Sequence, residues 1–292
     1  MGTEAGVCIY KLKTRKYKYV NKEFSNPYSI TDNVISSVYR DKEGGIWVGT
    51  YFGGVNYYSR QFNNFQKYFP EPGKNTLSGN IVHEICKDNY GKLWIGTEDA
   101  GLNQMDMKTG AIKSFLPDKK PGSISYHNIH GLVADDDKLW IGTYEHGLDV
   151  MDLKTNKVIR HYNAALDGRS FRSNFIVTLF RTANKDILVG TWSGLFKYNR
   201  ATDDFSAIPF FDFPIQSMYE DKDGTLWVSS YGNGVHYCKV KVNAQGEKEY
   251  EPHKVKVFNN YVNSLYKDSK HNFWFCTEGG LIHYNPSTGK TT

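Results

Sequence analysis

Apolar and polar positions alternate along this chain in short runs, each bounded by Gly, Asp or Asn, and the runs recur in sets of four. Period-two alternation is the pattern of a strand with one buried face. The first run of each set is preceded by asparagine in five of six copies, at Asn33, Asn80, Asn128, Asn174 and Asn260. Counted from that asparagine, the fifth following position is always apolar: Val38, Ile85, Val133, Leu179, Met218 and Leu265. The second following position is apolar in five copies, with His130 the exception. The run ends at an Asp followed three residues later by Gly, as in Asp41–Gly44, Asp88–Gly91 and Asp221–Gly224. Asp bonds its own backbone and Gly accepts positive φ, so the segment predicts a hairpin turn. The second strand carries Trp-x-Gly-Thr, with variants at Asp136–Trp140 and Asp268–Trp274 and with Leu188 where the other copies have Trp. A Gly-containing turn leads to a third strand such as Gly54–Tyr58, Gly101–Met105 or Gly147–Met151. A second turn, as in Asp106–Gly110 or Asp152–Asn156, leads to an aromatic-rich fourth strand such as Phe65–Phe69. Four antiparallel strands per unit form one propeller blade.

The Gly-Thr phrase fixes the period. It stands at Gly2, Gly49, Gly96, Gly142 and Gly190, then in altered form at Ser229-Ser230 and Cys276-Thr277, with steps of 47, 47, 46, 48, 39 and 47 residues. A repeat of this length corresponds to one small sheet. The expected fold is therefore all-β: a single β-propeller domain over residues 1–292, with about six to seven four-stranded blades and a seven-bladed parent. The half-blade spans 1–30, the repeats span 31–77, 78–124, 125–172, 173–211 and 212–258, and a partial blade of three strands spans 259–292. Because Gly2-Thr3 already ends a second strand, the chain opens inside a blade, and the expectation is a piece of a longer protein.

Composition adds bounds. The 27 Gly, 21 Tyr, 17 Phe and 6 Trp suit turns and strands. No apolar run approaches the roughly 18 residues of a membrane span. The net charge of +5 reflects in part a cluster at Lys11, Lys13, Arg15, Lys16 and Lys18, placed in a hairpin whose edge lysines protect. A nucleic-acid surface needs a basic stripe with stacking aromatics, and none is present. Cys8, Cys86, Cys238 and Cys276 show no metal or redox spacing and read as small buried thiols. The nearest histidine pairs, His127/His130 and His271/His283, gain no carboxylate at ligand spacing, so no metal or other cofactor is expected. No catalytic motif is recognisable.

Individuality lies on one face. The turns that open on Asp are stereotyped, whereas the turns after Gly-Thr vary: Tyr51-Phe52, Glu98-Asp99, Tyr144-Glu145-His146, Trp192, Tyr231 with Asn233, and Glu278. In a four-strand meander these turns open on the same side as the connections between blades, the longest being Pro70–Gly79 and Pro117–Ser123. Aromatics cover the apolar face of a sugar while carboxylates and amides hold its hydroxyls. These eleven residues are therefore the expected oligosaccharide contacts, with Lys74, Lys119 and Lys120 available to an acidic sugar. The asparagine before each first strand reads as a turn residue.

The repeated D-x-x-G-x-[LI]-W-[IV]-G-T, followed by a Gly-[LV] strand and a [DN]-x-x-[TS]-[GN] turn, resembles the two-component regulator propeller repeat. The resemblance implies a non-enzymatic periplasmic sensor of a hybrid two-component system. Such sensors have two seven-bladed propellers, a β-sandwich, a membrane helix and a histidine kinase fused to a response regulator. It further implies an oligosaccharide ligand, control of glycan-utilisation genes, and partnership with the rest of the sensor kinase chain as a homodimer. No nucleic acid or direct membrane contact is expected. WD-repeat and kelch patterns are not matched, because Trp-Asp is absent and the double glycines fall in different registers. Two alternatives stay open, a protein-interaction scaffold and a metal-dependent lyase of the streptogramin-inactivating kind. The lyase would need inward His or Glu residues; His83 and His130 lie on first strands but count to adjacent rather than identical columns.

Overall fold

The Asp-x-x-Gly segments close hairpins. In a computed structural model, which describes residues 1–59, 66–71, 73–165, 170–242, 248–257 and 259–292, Gly44, Gly91 and Gly224 take φ of 84°, 78° and 81°. One carboxylate oxygen of Asp88 accepts from the Tyr90 and Lys92 amides at 2.8 and 2.9 Å. The other oxygen accepts the indole N–H of Trp94 at 2.8 Å. Asp41 with Trp47 and Asp268 with Trp274 repeat this at 2.9 and 3.0 Å. Asp and Trp are thus coupled across these three hairpins, whereas the indole N–H groups of Trp140 and Trp227 are buried without a partner.

The chain divides into two compact units, Met1–Thr76 and Leu77–Thr292. The first holds two antiparallel sheets: β1 (Gly2–Thr3), β2 (Gly6–Lys11) and β3 (Lys16–Val20), then β4 (Ile35–Arg40), β5 (Ile46–Thr50) and β6 (Val55–Tyr58). The second holds five four-stranded sheets. These are β7 (Val82–Lys87), β8 (Lys92–Thr97), β9 (Leu102–Asp106) and β10 (Ile112–Phe115); β11 (Ile129–Asp135), β12 (Lys138–Thr143), β13 (Leu148–Asp152) and β14 (Lys157–Tyr162). Next come β15 (Ile176–Arg181), β16 (Ile187–Thr191), β17 (Gly194–Asn199) and β18 (Asp204–Ala207), then β19 (Ile215–Glu220), β20 (Leu226–Ser230), β21 (Gly234–Val242) and β22 (Lys248–Lys254). The last sheet is β23 (Val262–Lys267), β24 (Phe273–Thr277), β25 (Gly280–Asn285) and β26 (Lys290–Thr291). Every pairing is antiparallel and sequential, so each sheet is a meander and a propeller blade, and no helix occurs among the described residues.

Two strand expectations are corrected. The last sheet has a fourth strand, because Lys290 and Thr291 pair with Asn285 and Tyr284. The fourth strand expected at Phe65–Phe69 is not formed: residues 66–69 carry no strand, and Phe65 lies outside the described residues.

Within the second unit, first strands pack side by side, β7 with β11, β11 with β15, β15 with β19, and β19 with β23. The core lies between sheets. Trp94 and Leu102 meet Ile129, Leu132 and Leu139 of the next sheet; Trp140 and Val150 meet Ile176, Leu179 and Val189; Trp227 and Val235 meet Val262, Leu265 and Phe273. Facing sheets interdigitate in this way when each buries alternate residues. Leu188, which replaces the indole, is fully buried against Ile215 and Met218.

Gly-Thr has two separate causes. A Cβ on Gly142 would stand 2.5 Å from Cγ2 of Ile176, and one on Gly96 would stand 2.7 Å from Cγ2 of Ile129. Only glycine lets the next blade's first strand approach this closely. The threonine hydroxyl then donates to the carbonyl that closes the following turn, from Thr97 to Gly101 and from Thr143 to Gly147, both at 2.8 Å.

The first strands carry a further correction. Each shows a β-bulge near its start, between Val82 and Glu84 in β7 and between Ile129 and Gly131 in β11. Leu132, not Val133, is the counterpart of Ile85, since the two pair with Ile141 and Ile95 respectively. Asn128 stands one residue nearer its strand than the other asparagines do. His83 and His130 therefore occupy the same column, each the extra residue of its bulge.

Of the cysteines, only Cys238 is fully buried, and its thiol is pushed up to about 12 by desolvation. Cys276 is exposed, against the expectation of four buried thiols. The Lys11–Lys18 cluster forms the exposed hairpin of β2 and β3, as expected.

Candidate functional site

The first residue after Gly-Thr is anchored by its own backbone. Glu98 donates its amide to the Ile81 carbonyl at 3.0 Å, Tyr144 to Asn128 at 3.1 Å, Trp192 to Phe175 at 3.2 Å and Glu278 to Tyr261 at 3.3 Å. The glycine of the same turn bonds forward to the next blade, Gly101 to His127 at 2.8 Å and Gly147 to Asn174 at 2.9 Å. Variable side chains are thus carried on a fixed rim where turns and inter-blade connections meet, the arrangement in which loops carry function on a rigid frame.

Three of the expected contacts converge. A cleft of about 550 Å³ is lined by Tyr144, Glu145, Ser173, Asn174, Phe175 and Trp192. Trp192 is 47 % exposed. It stacks on Phe175 with ring centroids 5.6 Å apart and planes 4° from parallel, and Phe175 meets Tyr144 edge-on at 4.5 Å. Glu145 stands at φ 64°, a conformation that non-glycine residues seldom adopt and that marks sites under constraint. Asn174 is held by accepting the Ala164 amide at 2.6 Å, a bond that spans the connection leading into β15 rather than a local turn. Phe175 was not anticipated; the signal for it is an aromatic immediately after the asparagine, where other copies have Val34 or Ile81.

The aromatic series continues around the rim. Trp192 neighbours Tyr231 at 6.4 Å, and Tyr231 meets Tyr261 at 4.8 Å and donates its hydroxyl to Glu278 at 2.6 Å. On the other side Tyr144 stacks beside His130 at 5.8 Å. His130 stacks on His83 with centroids 4.1 Å apart. Both rings approach Glu98, whose Oε2 is bonded by His83 Nε2 and lies 3.9 Å from His130 Nε2. Asn128 Nδ2 donates to the other oxygen of Glu98 at 3.1 Å. The hydrogen bond from His83 holds the Glu98 carboxyl below its usual range. Burial, reinforced by the neighbouring His83 ring, lowers His130 to about 4.

The remaining expected residues are dispersed. Tyr51 and Phe52 pack edge-to-face at 4.6 Å in the first unit, both exposed. His146 stacks flat on Tyr126 at 4.0 Å rather than facing the cleft. Asp99 is exposed beside Gly79, and Asn233 is half-buried in its turn outside the cleft lining. Lys74 and Lys120 pair with the adjacent Glu71 and Asp118. A second cavity of about 490 Å³, between β12–β14 and the turn after β17, is lined by Trp140, Tyr162, Tyr198, Arg200 and Asp203 among others. Several of its polar groups are engaged with one another: Asp203 accepts both tyrosine hydroxyls at 2.5 and 2.7 Å, and Arg200 donates to Asp135 at 2.7 Å.

No curated protein matches the chain. Among solved structures, the extracellular domain assigned to a hybrid two-component system of B. thetaiotaomicron is 25 % identical with a TM-score of 0.62, over 97 % of this chain and 37 % of that one. A second such extracellular domain from B. thetaiotaomicron is 19 % identical with a TM-score of 0.59, over 100 % of this chain and 46 % of that one. The chain thus spans less than half the length of these relatives. Virginiamycin B lyase from Staphylococcus aureus shares the fold at 14 % identity and a TM-score of 0.53, over 88 % of this chain and 83 % of the lyase. The family model described as two component regulator propeller matches residues 29–52, 76–99, 212–232 and 256–279, the segments that carry the Asp-turn and Trp-x-Gly-Thr pattern. These four segments are similar to the repeat of the two-component regulator propeller family.

Proposed function

We propose that this propeller is the extracytoplasmic ligand-sensing part of a two-component signalling protein, and that it binds an oligosaccharide in the cleft of Tyr144, Glu145, Asn174, Phe175 and Trp192. The observation that carries the reading is the exposed Trp192 ring, fixed parallel to Phe175 beside a carboxylate and an amide. A flat exposed indole is suited to the apolar face of a pyranose, Glu145 supplies an acceptor, and Asn174, whose Oδ1 is taken by Ala164, supplies its Nδ2 as a donor to hydroxyls. Among the described residues no lysine or arginine lines the cleft. The preferred ligand is therefore a neutral sugar rather than an acidic one, and Lys74 and Lys120 play no part. Similarity to extracellular domains of two-component systems supports a periplasmic or extracellular location and a regulatory output carried by other parts of the protein. Binding acts by stabilising one arrangement of the receptor over another, with no turnover of the sugar. Calorimetry against neutral and uronic-acid-containing oligosaccharides checks the proposal. Heat is expected from a neutral member of the panel; no heat from any sugar with the folded chain contradicts it and favours a protein-interaction scaffold.

A further inference from the structure

We propose that His83, Glu98 and His130 form a binding site for one divalent transition-metal cation of the zinc class. Their ligand atoms all lie within 4.8 Å of one another, and the architecture brings them together from separate elements. His83 and His130 are the bulge residues of adjacent first strands. A bulge leaves its extra residue unpaired and re-aims the side chain, which is a recurrent way of building a site into a sheet. The two imidazoles stack with planes 23° apart, so both offer an edge nitrogen to the same carboxylate.

Glu98 is held for the role. Its amide is fixed on the Ile81 carbonyl, and its Oε1 is taken by Asn128, leaving Oε2 turned toward both Nε2 atoms. An outer partner that orients a ligating carboxylate is a regular feature of built metal sites. His130 Nε2 is buried without a hydrogen-bond partner. Such an orphaned atom calls for an explanation, and coordination satisfies it. A bound ion at about 2.0–2.2 Å from each donor draws the three atoms closer by a side-chain adjustment of roughly an ångström. Two imidazoles and one carboxylate suit zinc and its neighbours, whereas calcium and magnesium select oxygen donors. Three protein ligands leave a fourth position open. His83 and Glu98 are partly exposed, which provides the entry path. The site does not depend on the sugar reading, because it can be titrated with metal alone.

The test is calorimetric titration of the 292-residue chain with Zn²⁺, accompanied by visible absorption after loading with Co²⁺. One equivalent of Zn²⁺ is expected, with tetrahedral Co²⁺ bands. His83→Ala and His130→Ala should each abolish the bands and weaken binding by about a hundredfold or more. Asn128→Ala, which only frees the carboxylate, should weaken it by about tenfold. His83 is exposed at the sheet surface, so its variant keeps the fold, checked by circular dichroism. Failure of the folded chain to bind Zn²⁺, or binding that survives unchanged in both histidine variants, overturns the proposal.

Discussion

Trp94 and Trp192 belong to the same unit and show what the repeat fixes and what it leaves free. Trp94 is 0 % exposed and its indole N–H is bonded to Asp88, the first residue of its own hairpin. Its ring is packed into the next sheet. Trp192 follows Gly-Thr instead of preceding it, is 47 % exposed, and stands in a cleft on Phe175. The same side chain is thus buried in the core before Gly-Thr at Trp94 and left open in a cleft after Gly-Thr at Trp192, where we propose that it meets a sugar. The distinction also separates the glycines: Gly142 is required by a neighbour, whereas Gly91 is required only by its backbone angle.

Substitutions should break this contrast in graded steps. Trp94→Ala should cost about 3–5 kcal/mol, the range for removing a large buried aromatic, read as a lower urea midpoint. A smaller loss is expected from acid. His236 is buried among Phe210, Phe211 and Phe213, and desolvation lowers it to about 4 from 6.5, with the Lys254 charge adding to the effect. Because the unfolded chain takes up that proton first, stability is full above pH 6.5 and falls as pH drops toward 4, by about 3 kcal/mol at most. His236→Phe should flatten that part of the urea-midpoint profile against pH. An unaltered slope would assign it to other groups. Gly142→Ala should cost about 1–3 kcal/mol through overpacking against Ile176, while Gly91→Ala, with φ of 78° and open space around it, should cost only about 1–2 kcal/mol of backbone strain. Thermal melts of the pair separate the two causes. Trp192→Ala should leave stability within about 0.5 kcal/mol and act on ligand binding alone.

The sequence shows the blade and only part of the site, for reasons that particular residues make plain. Asp88, Trp94 and the Gly-Thr at Gly96 recur because every blade needs the same turn, the same filler and the same close approach, and repetition makes such needs visible. The coupling of Asp to the indole N–H was not anticipated, although their six-residue separation in four copies was the available signal, and the bond forms in three of them. Trp192, Tyr144 and Glu145 were legible as departures from the repeat. Phe175 and Tyr261 were missed because they follow the asparagine before a first strand rather than Gly-Thr, and the fold then brings them against Trp192 and Tyr231. His146 stands apart from the cleft lining because an aromatic on a loop has a second use, here stacking on Tyr126. The pairing of His83 with His130 stayed hidden because counting from asparagine fails where Asn128 is displaced by one residue. Only the ladder of hydrogen bonds reveals that both are bulge residues.

Tryptophan fluorescence, followed during titration of the native chain and of Trp192→Ala with neutral oligosaccharides, tests the central claim most directly. The residues just after Gly-Thr carry recognition if the native chain shows a saturable change with at least one sugar and the variant, equally folded, shows none. The same saturable change in Trp192→Ala, or none with any sugar in the native chain, would contradict it.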